Sequence, residues 1–207
     1  MNQRRLIASL AIALLAGCTL LLHTGCTAPT SGAAINSSEP DGILLRRAME
    51  RAERAGRTRD PIRAEALYRE ATNIYPGFAA AWNNLGLTLM EQDRWSEADE
   101  AFALASDLAA SDPRPLYNRG IVRLKRGYAE QSIPYFEDAL AINPNFLPAL
   151  RGGIRAEILT RSTSERTLRW LERAIMLETD EQWLSYLRLQ RLQIEAEVRA
   201  KRPSWVQ

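Results

Sequence analysis

The chain has 207 residues, enough for one ordinary domain or a short solenoid. Its 27 Lys and Arg against 25 Asp and Glu give a formal charge of only +2. No block of one sign stands out, so nucleic-acid binding has no compositional support. The two cysteines, Cys18 and Cys26, and the single histidine, His23, all lie near the N-terminus. From Thr27 onward there is neither. Cys/His zinc sites, Ser-His-Asp triads and Cys-His dyads are therefore removed from the folded part, and no metal or cofactor is expected.

The chain opens with Arg4 and Arg5 and then runs apolar from Leu6 to Ala16. This is the basic start and short hydrophobic stretch of an export signal, predicted over 1–17. The run is short for a membrane span, which needs about 20 residues. Leu15-Ala16-Gly17-Cys18 resembles the lipobox of bacterial lipoproteins. The resemblance implies that Cys18 is lipidated and becomes the new N-terminus. His23-Thr24-Gly25-Cys26 is a second match, with Cys26 as the alternative site. A plain signal, and an uncleaved anchor reaching Leu22, stay open. Cleavage before Cys18 would leave a mature chain of zero formal charge, because Arg4 and Arg5 leave with the signal. Thr19 follows Cys18, where an Asp would retain a lipoprotein at the inner membrane. The resemblance thus implies the outer membrane, facing the periplasm. Thr27 to Pro40 is rich in Pro, Ser, Gly and Thr and nearly uncharged. With Cys18 as the lipidated end, 18–40 reads as a flexible tether.

From about 45 the chain repeats with a period of 34. Gly86 and Gly120 keep that spacing, as do Tyr68, Phe102 and Phe136, and Ala71, Ala105 and Ala139. Ala64 and Ala98 match too, with Ser132 the small substitute, and Pro76 and Pro144 lie two periods apart. Within the second copy, Trp82, Leu85 and Leu89 fall on one helix face, and Ala98, Phe102 and Ala105 on the next. Asp60-Pro61 reads as an N-cap followed by Pro at the first helical position. Ser96 with Asp99, and Ser162 with Glu165, read as further caps. Pro134 is placed near a helix start, where its missing N–H costs little.

These columns resemble the tetratricopeptide repeat (TPR) family. The predicted copies are 45–78, 79–112, 113–146 and 147–180, the fourth looser, with Gly153 one place early and Ala174 one place late. The expected fold is all-α, a right-handed TPR solenoid of antiparallel helix pairs over 41–180. Repeat packing is assigned to Trp82, Leu85, Gly86, Ala98, Phe102, Ala105, Gly120, Phe136, Ala139 and Pro144. A longer helix over 181–202 is expected to cap the last repeat through Trp183, Tyr186, Leu187, Ile194 and Val198, with Arg188, Arg191 and Arg199 facing water. A short tail, 203–207, follows.

The resemblance implies a concave groove lined by the first helix of each repeat. In this sequence the matching positions are Asn83, Leu87 and Met90, then Tyr117, Ile121, Leu124 and Lys125, then Arg151 and Arg155. The arginines are four apart, so both are expected to face one carboxylate. The lysine-and-asparagine carboxylate clamp of chaperone-binding members is not reproduced, because Met49 and Glu53 stand in its places. Carboxylate pairs such as Glu97/Glu100 and Glu195/Glu197 occur on any charged helix and do not make an enzyme. The expected role is a non-enzymatic, membrane-anchored adaptor that takes a protein or peptide partner in its groove in cell-envelope assembly. No small-molecule substrate is expected. A pilotin-like assembly factor for a secretin or pilus system, and a carboxylate enzyme, are the alternatives.

Overall fold

The computed structural model describes residues 40–201, so the proposed signal, both cysteines, most of the tether and the C-terminal tail lie outside the described residues. The described residues form helices joined by short turns, with no strand among them. In chain order they are α1 (Asp41–Arg57), α2 (Pro61–Ile74), α3 (Ala79–Glu91), α4 (Trp95–Leu108), α5 (Pro113–Lys125), α6 (Ala129–Ile142), α7 (Leu147–Thr160), α8 (Glu165–Leu177) and α9 (Glu181–Lys201). Each odd-numbered helix packs against the even-numbered one that follows, giving four antiparallel pairs. The first helices α3, α5 and α7 also touch one another in succession, and no comparable contact joins the second helices. The first helices therefore make an inner layer, and the second helices an outer one.

The contact inside each pair explains the glycines. A methyl built on Gly86 would lie 2.5 Å from Cε1 of Phe102, and one on Gly120 would lie 2.7 Å from Cε1 of Phe136. Both rings are fully buried. Gly152 of the next first helix makes a third approach, to the same Phe136 ring, at 2.6 Å. So in the second and third pairs the aromatic ring of the second helix, rather than its backbone, sets the need for glycine. Trp82 is only half-buried and donates its indole N–H to the Pro76 carbonyl at 2.8 Å. Leu85, Ala98, Ala105 and Ala139 are buried as expected. Pro144 is exposed in the α6–α7 turn, so it stops a helix and does not pack the repeat.

The fourth pair departs from the others by one inserted residue. Phe136 is followed 35 residues later by Leu171, and Ala139 by Ala174, both fully buried. Ile154 stands where the earlier copies have glycine, and it and Leu171 share the core there. The early Gly153 has a separate purpose, since a Cβ on it would lie 2.6 Å from Trp170.

Three local expectations are corrected. α4 begins at Trp95 with no side-chain cap, so Ser96 lies inside it and caps nothing. The cap of α8 is Ser164, not Ser162. Its backbone N–H donates to Thr167 Oγ1 at 2.9 Å, and Glu165 is the first helical residue. Pro134 lies in the second turn of α6, where it removes the donor that the Glu130 carbonyl would otherwise receive.

The early start of α4 follows from a tight turn. Asp93, Gly127 and Arg161 lie 34 apart, and all have positive φ, at 58°, 84° and 53°. After each, the next N–H reaches back to the first helix, as in Arg94 N–H to Leu89 O and Tyr128 N–H to Arg123 O. This is a Schellman stop, which favours glycine. Only one of the three positions has it. Arg161→Gly is expected to stabilise the protein by about 0.5–1 kcal/mol, read as a raised midpoint in thermal unfolding, because Arg161 is exposed and its side chain strains the left-handed backbone.

Beyond α8 the 34-residue register continues into α9. The starts of α3, α5, α7 and α9 are 79, 113, 147 and 181, a constant step of 34, so α9 takes the place of a fifth first helix. The eighth residue of α3 and of α5 is the glycine that admits an aromatic ring. In α9 it is Arg188, which is exposed. The buried stripe of α9 is Leu184, Leu187, Ile194 and Val198. Trp183 and Tyr186, expected to cover the last repeat, are exposed instead. Arg191 keeps its side chain 39% exposed, with its Nε 3.3 Å from Glu195.

Candidate peptide-binding surface

The 34-residue step carries the first-helix positions into columns across the inner layer. One column holds Met49, Asn83, Tyr117, Arg151 and Ser185; the next holds Glu53, Leu87, Ile121, Arg155 and Leu189; a third holds Met90, Leu124, Ile158 and Leu192. Every residue assigned to the groove therefore lies on the inner layer, but not every one is free to bind.

In the first column, Asn83 is buried and accepts from Asn118 Nδ2 at 2.9 Å. This amide pair ties α3 to α5, and Asn83 Nδ2 in turn donates to Asn84 Oδ1 at 3.5 Å, so both ends of the Asn83 amide are engaged within the fold. Tyr117 is half-buried, edge-on to Phe146 at 5.6 Å and tilted against Phe136 at 6.1 Å. Burial pushes its hydroxyl up from the usual value, partly opposed by Arg151. Arg151 is the larger correction. Its guanidinium pairs with Glu178, which is 2% exposed, and Nε donates at 2.9 Å. It also stacks 4.5 Å from the Trp183 ring centroid. Glu178 accepts from the N–H groups of Thr179 and Asp180 as well, both at 3.0 Å. Arg151 thus fastens the start of α9 to α7, and it does not share a ligand carboxylate with Arg155.

The Arg151 hydrogen bond holds the Glu178 carboxyl below its usual range, against the opposing effect of burial. This contribution is complete above the ordinary carboxylate range and is lost as the pH falls below it. Arg151→Ala is expected to cost about 2–3 kcal/mol, because Glu178 would stay buried without its cation. Faster amide hydrogen exchange confined to α9 and the α8–α9 turn would show it.

The other two columns are different. Leu87 is exposed, Met90, Ile121, Leu124 and Ile158 are half-buried, and Lys125 and Arg155 are exposed. Sequence reasoning missed Ile158, Leu189 and Leu192. The same period, carried past 180, finds them, since 124, 158 and 192 differ by 34.

Other charged groups pair both within helices and between repeats. Glu65 of α2 takes Arg94 at 2.6 Å and Arg69 at 2.7 Å. Burial alone would raise its carboxyl, but hydrogen bonds from Arg94, Gln92 and Arg69 outweigh it and lower the pKa to about 2. Asp99 of α4 takes Arg123 at 2.8 Å and Arg119 at 3.2 Å, and Arg119 lies over the Tyr135 ring. Glu97 is held by Arg94 and Arg69, Glu195 by Arg191, and Glu197 accepts from Thr163. Among the described residues no cluster of His, Cys, Asp and Glu could hold a metal, and no helix is long and apolar enough to cross a membrane.

Residues 113–146, which are α5, α6 and the turn after them, match the family model of the tetratricopeptide repeat. The fold is that of a TPR solenoid. The TPR architecture is shared with YrrB, "a TPR protein with an unusual peptide-binding site", at 16% identity and TM-score 0.59, covering 77% of this chain and 84% of that one. A MamA double mutant is similar at 16% identity and TM-score 0.60, covering 76% and 98%. The second TPR domain of human RPAP3, in complex with an HSP70 peptide, is similar at 17% identity and TM-score 0.52, covering 57% and 98%. No curated protein sequence matches the chain. The inner layer of first helices is accordingly the candidate site.

Proposed function

We propose that this chain is a non-enzymatic adaptor, tethered to the bacterial cell envelope through lipid on Cys18, that holds a segment of a partner protein on the inner face of its TPR solenoid. The observation that carries the reading is the run of exposed and half-buried apolar side chains at Leu87, Ile121 and Leu124, on a layer where Arg119, Arg123 and Arg151 are paired with carboxylates of the fold. Exposed apolar surface that recurs at one place in successive repeats is a docking face. Two of the similar structures are described with a peptide site or a bound peptide, which supports the same use of this layer. The Pro/Ser/Gly-rich stretch before α1, and Leu15-Ala16-Gly17-Cys18, support the tether.

A photo-crosslinking residue placed at Leu87 or Lys125 in the living cell tests the face, with Leu104 on the outer helix α4 as the comparison. Leu104 is also exposed. Adducts from the inner positions alone are expected. Adducts from Leu104 alone would move the binding face to the outer layer. Labelling with palmitate tests the tether, since label should be lost in Cys18→Ser and kept in Cys26→Ser. Label that survives both changes would overturn it.

A further inference from the structure

The columns on the inner layer do not end with the fourth repeat. Leu189 and Leu192 of α9 are 53% and 59% exposed, and they continue the rows of Leu87, Ile121 and Leu124 at the same 34-residue step. The buried stripe of α9 uses a different face of that helix, so neither leucine is needed to cap α8. The start of α9 is held beside α7, where Trp183 stacks on Arg151, and further along a cleft lined by Ile158 and Ile194 lies between the two helices. Neighbouring helix axes lie about 8–10 Å apart, so the rows from α3 to α9 span about 25–30 Å, the reach of roughly nine residues of extended chain.

One charge interrupts this apolar run. Arg155 is exposed between Ile121 and Leu189 in its column, and no carboxylate among the described residues pairs with it. Arg151, one turn away, is already taken by Glu178. An apolar segment laid over the rows would strip water from Arg155, and a cation covered without a partner is costly. A carboxylate in the covering segment removes that cost, and the planar guanidinium favours it through paired hydrogen bonds.

We propose that the seat runs from α3 across α5 and α7 onto α9, and that its occupant is an apolar protein segment with one carboxylate near the middle, received by Arg155. This rests on the inner face being the binding face and adds its length and the chemistry of its occupant. The capping helix is then part of the recognition surface as well as the end of the solenoid.

Selection of displayed random 12-residue peptides on the full-length protein tests it. Enriched peptides are expected to place Asp or Glu between apolar residues. Their affinity is expected to fall about tenfold or more for Arg155→Gln, and likewise for a Leu189→Asp/Leu192→Asp chain. Arg155→Glu is expected to shift the selected central residue to Lys or Arg. Thermal unfolding of each variant, unchanged because these side chains are exposed, separates lost binding from lost folding. Peptides that need Ile121 but tolerate every change at Arg155, Leu189 and Leu192 would overturn the extension and leave the inner-face reading intact. Peptides indifferent to Ile121→Asp as well, or no enrichment at all, would overturn both. Enriched peptides with no central acid would overturn the assigned role of Arg155.

Discussion

Gly86→Ala is expected to lower stability by about 1–2 kcal/mol, and Gly86→Leu by about 3 kcal/mol or more, in denaturant or thermal unfolding. Two effects oppose each other. Alanine is the better helix former by about 1 kcal/mol, which on its own would stabilise α3. Against it, the new methyl would sit 2.5 Å from Cε1 of Phe102 and within 3 Å of two more ring atoms. Phe102 is 0% exposed, so the ring has nowhere to move. Overpacking therefore wins. Gly42 supplies the comparison. It also lies in a helix, α1, but nothing approaches its methyl position within 4 Å, so Gly42→Ala should stabilise by about 0.5–1 kcal/mol. Phe102→Leu should recover part of the loss in Gly86→Ala, giving a clear coupling between two residues 16 apart in sequence. Equal losses at Gly86 and Gly42 would refute the ring contact as the cause.

Arg166→Ala is expected to have the largest effect, about 3–5 kcal/mol. Glu157, on α7, is 0% exposed and faces Arg166 and Thr167 of α8. The Arg166 Nε donates to it at 2.6 Å, while the same guanidinium bridges to Glu137 on α6 and lies over the Trp170 ring. Removing the arginine strands a carboxylate in the core between the last two pairs. Glu137→Gln should cost under about 1 kcal/mol, because that carboxylate is 40% exposed and water can replace its partner. A Glu157→Leu/Arg166→Met chain should regain most of the stability lost in Arg166→Ala, since replacing both charges removes the desolvation cost along with the pair. A small effect of Arg166→Ala would refute the Arg166–Glu157 pair as the tie between α7 and α8.

Glu157 and Arg166 also mark where sequence reading stopped. Nothing in their spacing separates them from the many exposed pairs of this chain, such as Glu53 and Arg57. The same holds for Arg151 and Arg155. Four apart on one helix, they read as two equal cations of a groove. The structure divides them. Arg151 is consumed by Glu178 and Trp183, which are 27 and 32 residues away, while Arg155 stays open. Trp183 and Tyr186 show the same limit in α9. Their large apolar rings favour burial, yet the 3-4 spacing of Leu184, Leu187, Ile194 and Val198 decides which face meets α8.

The sequence by itself determined the repeat, the helix pairs and the glycine columns. Those features recur at a fixed 34-residue step, and each copy makes the same local contact with its own partner helix, so periodicity records them. It also held, unread, the continuation of the inner rows to Ile158, Leu189 and Leu192. Only the tertiary structure decided which charges are used up inside the fold and which remain on the surface. That outcome depends on pairings between helices of different repeats, and the energy of a charged side chain is set by its burial and its partner, neither of which its position in the chain reveals.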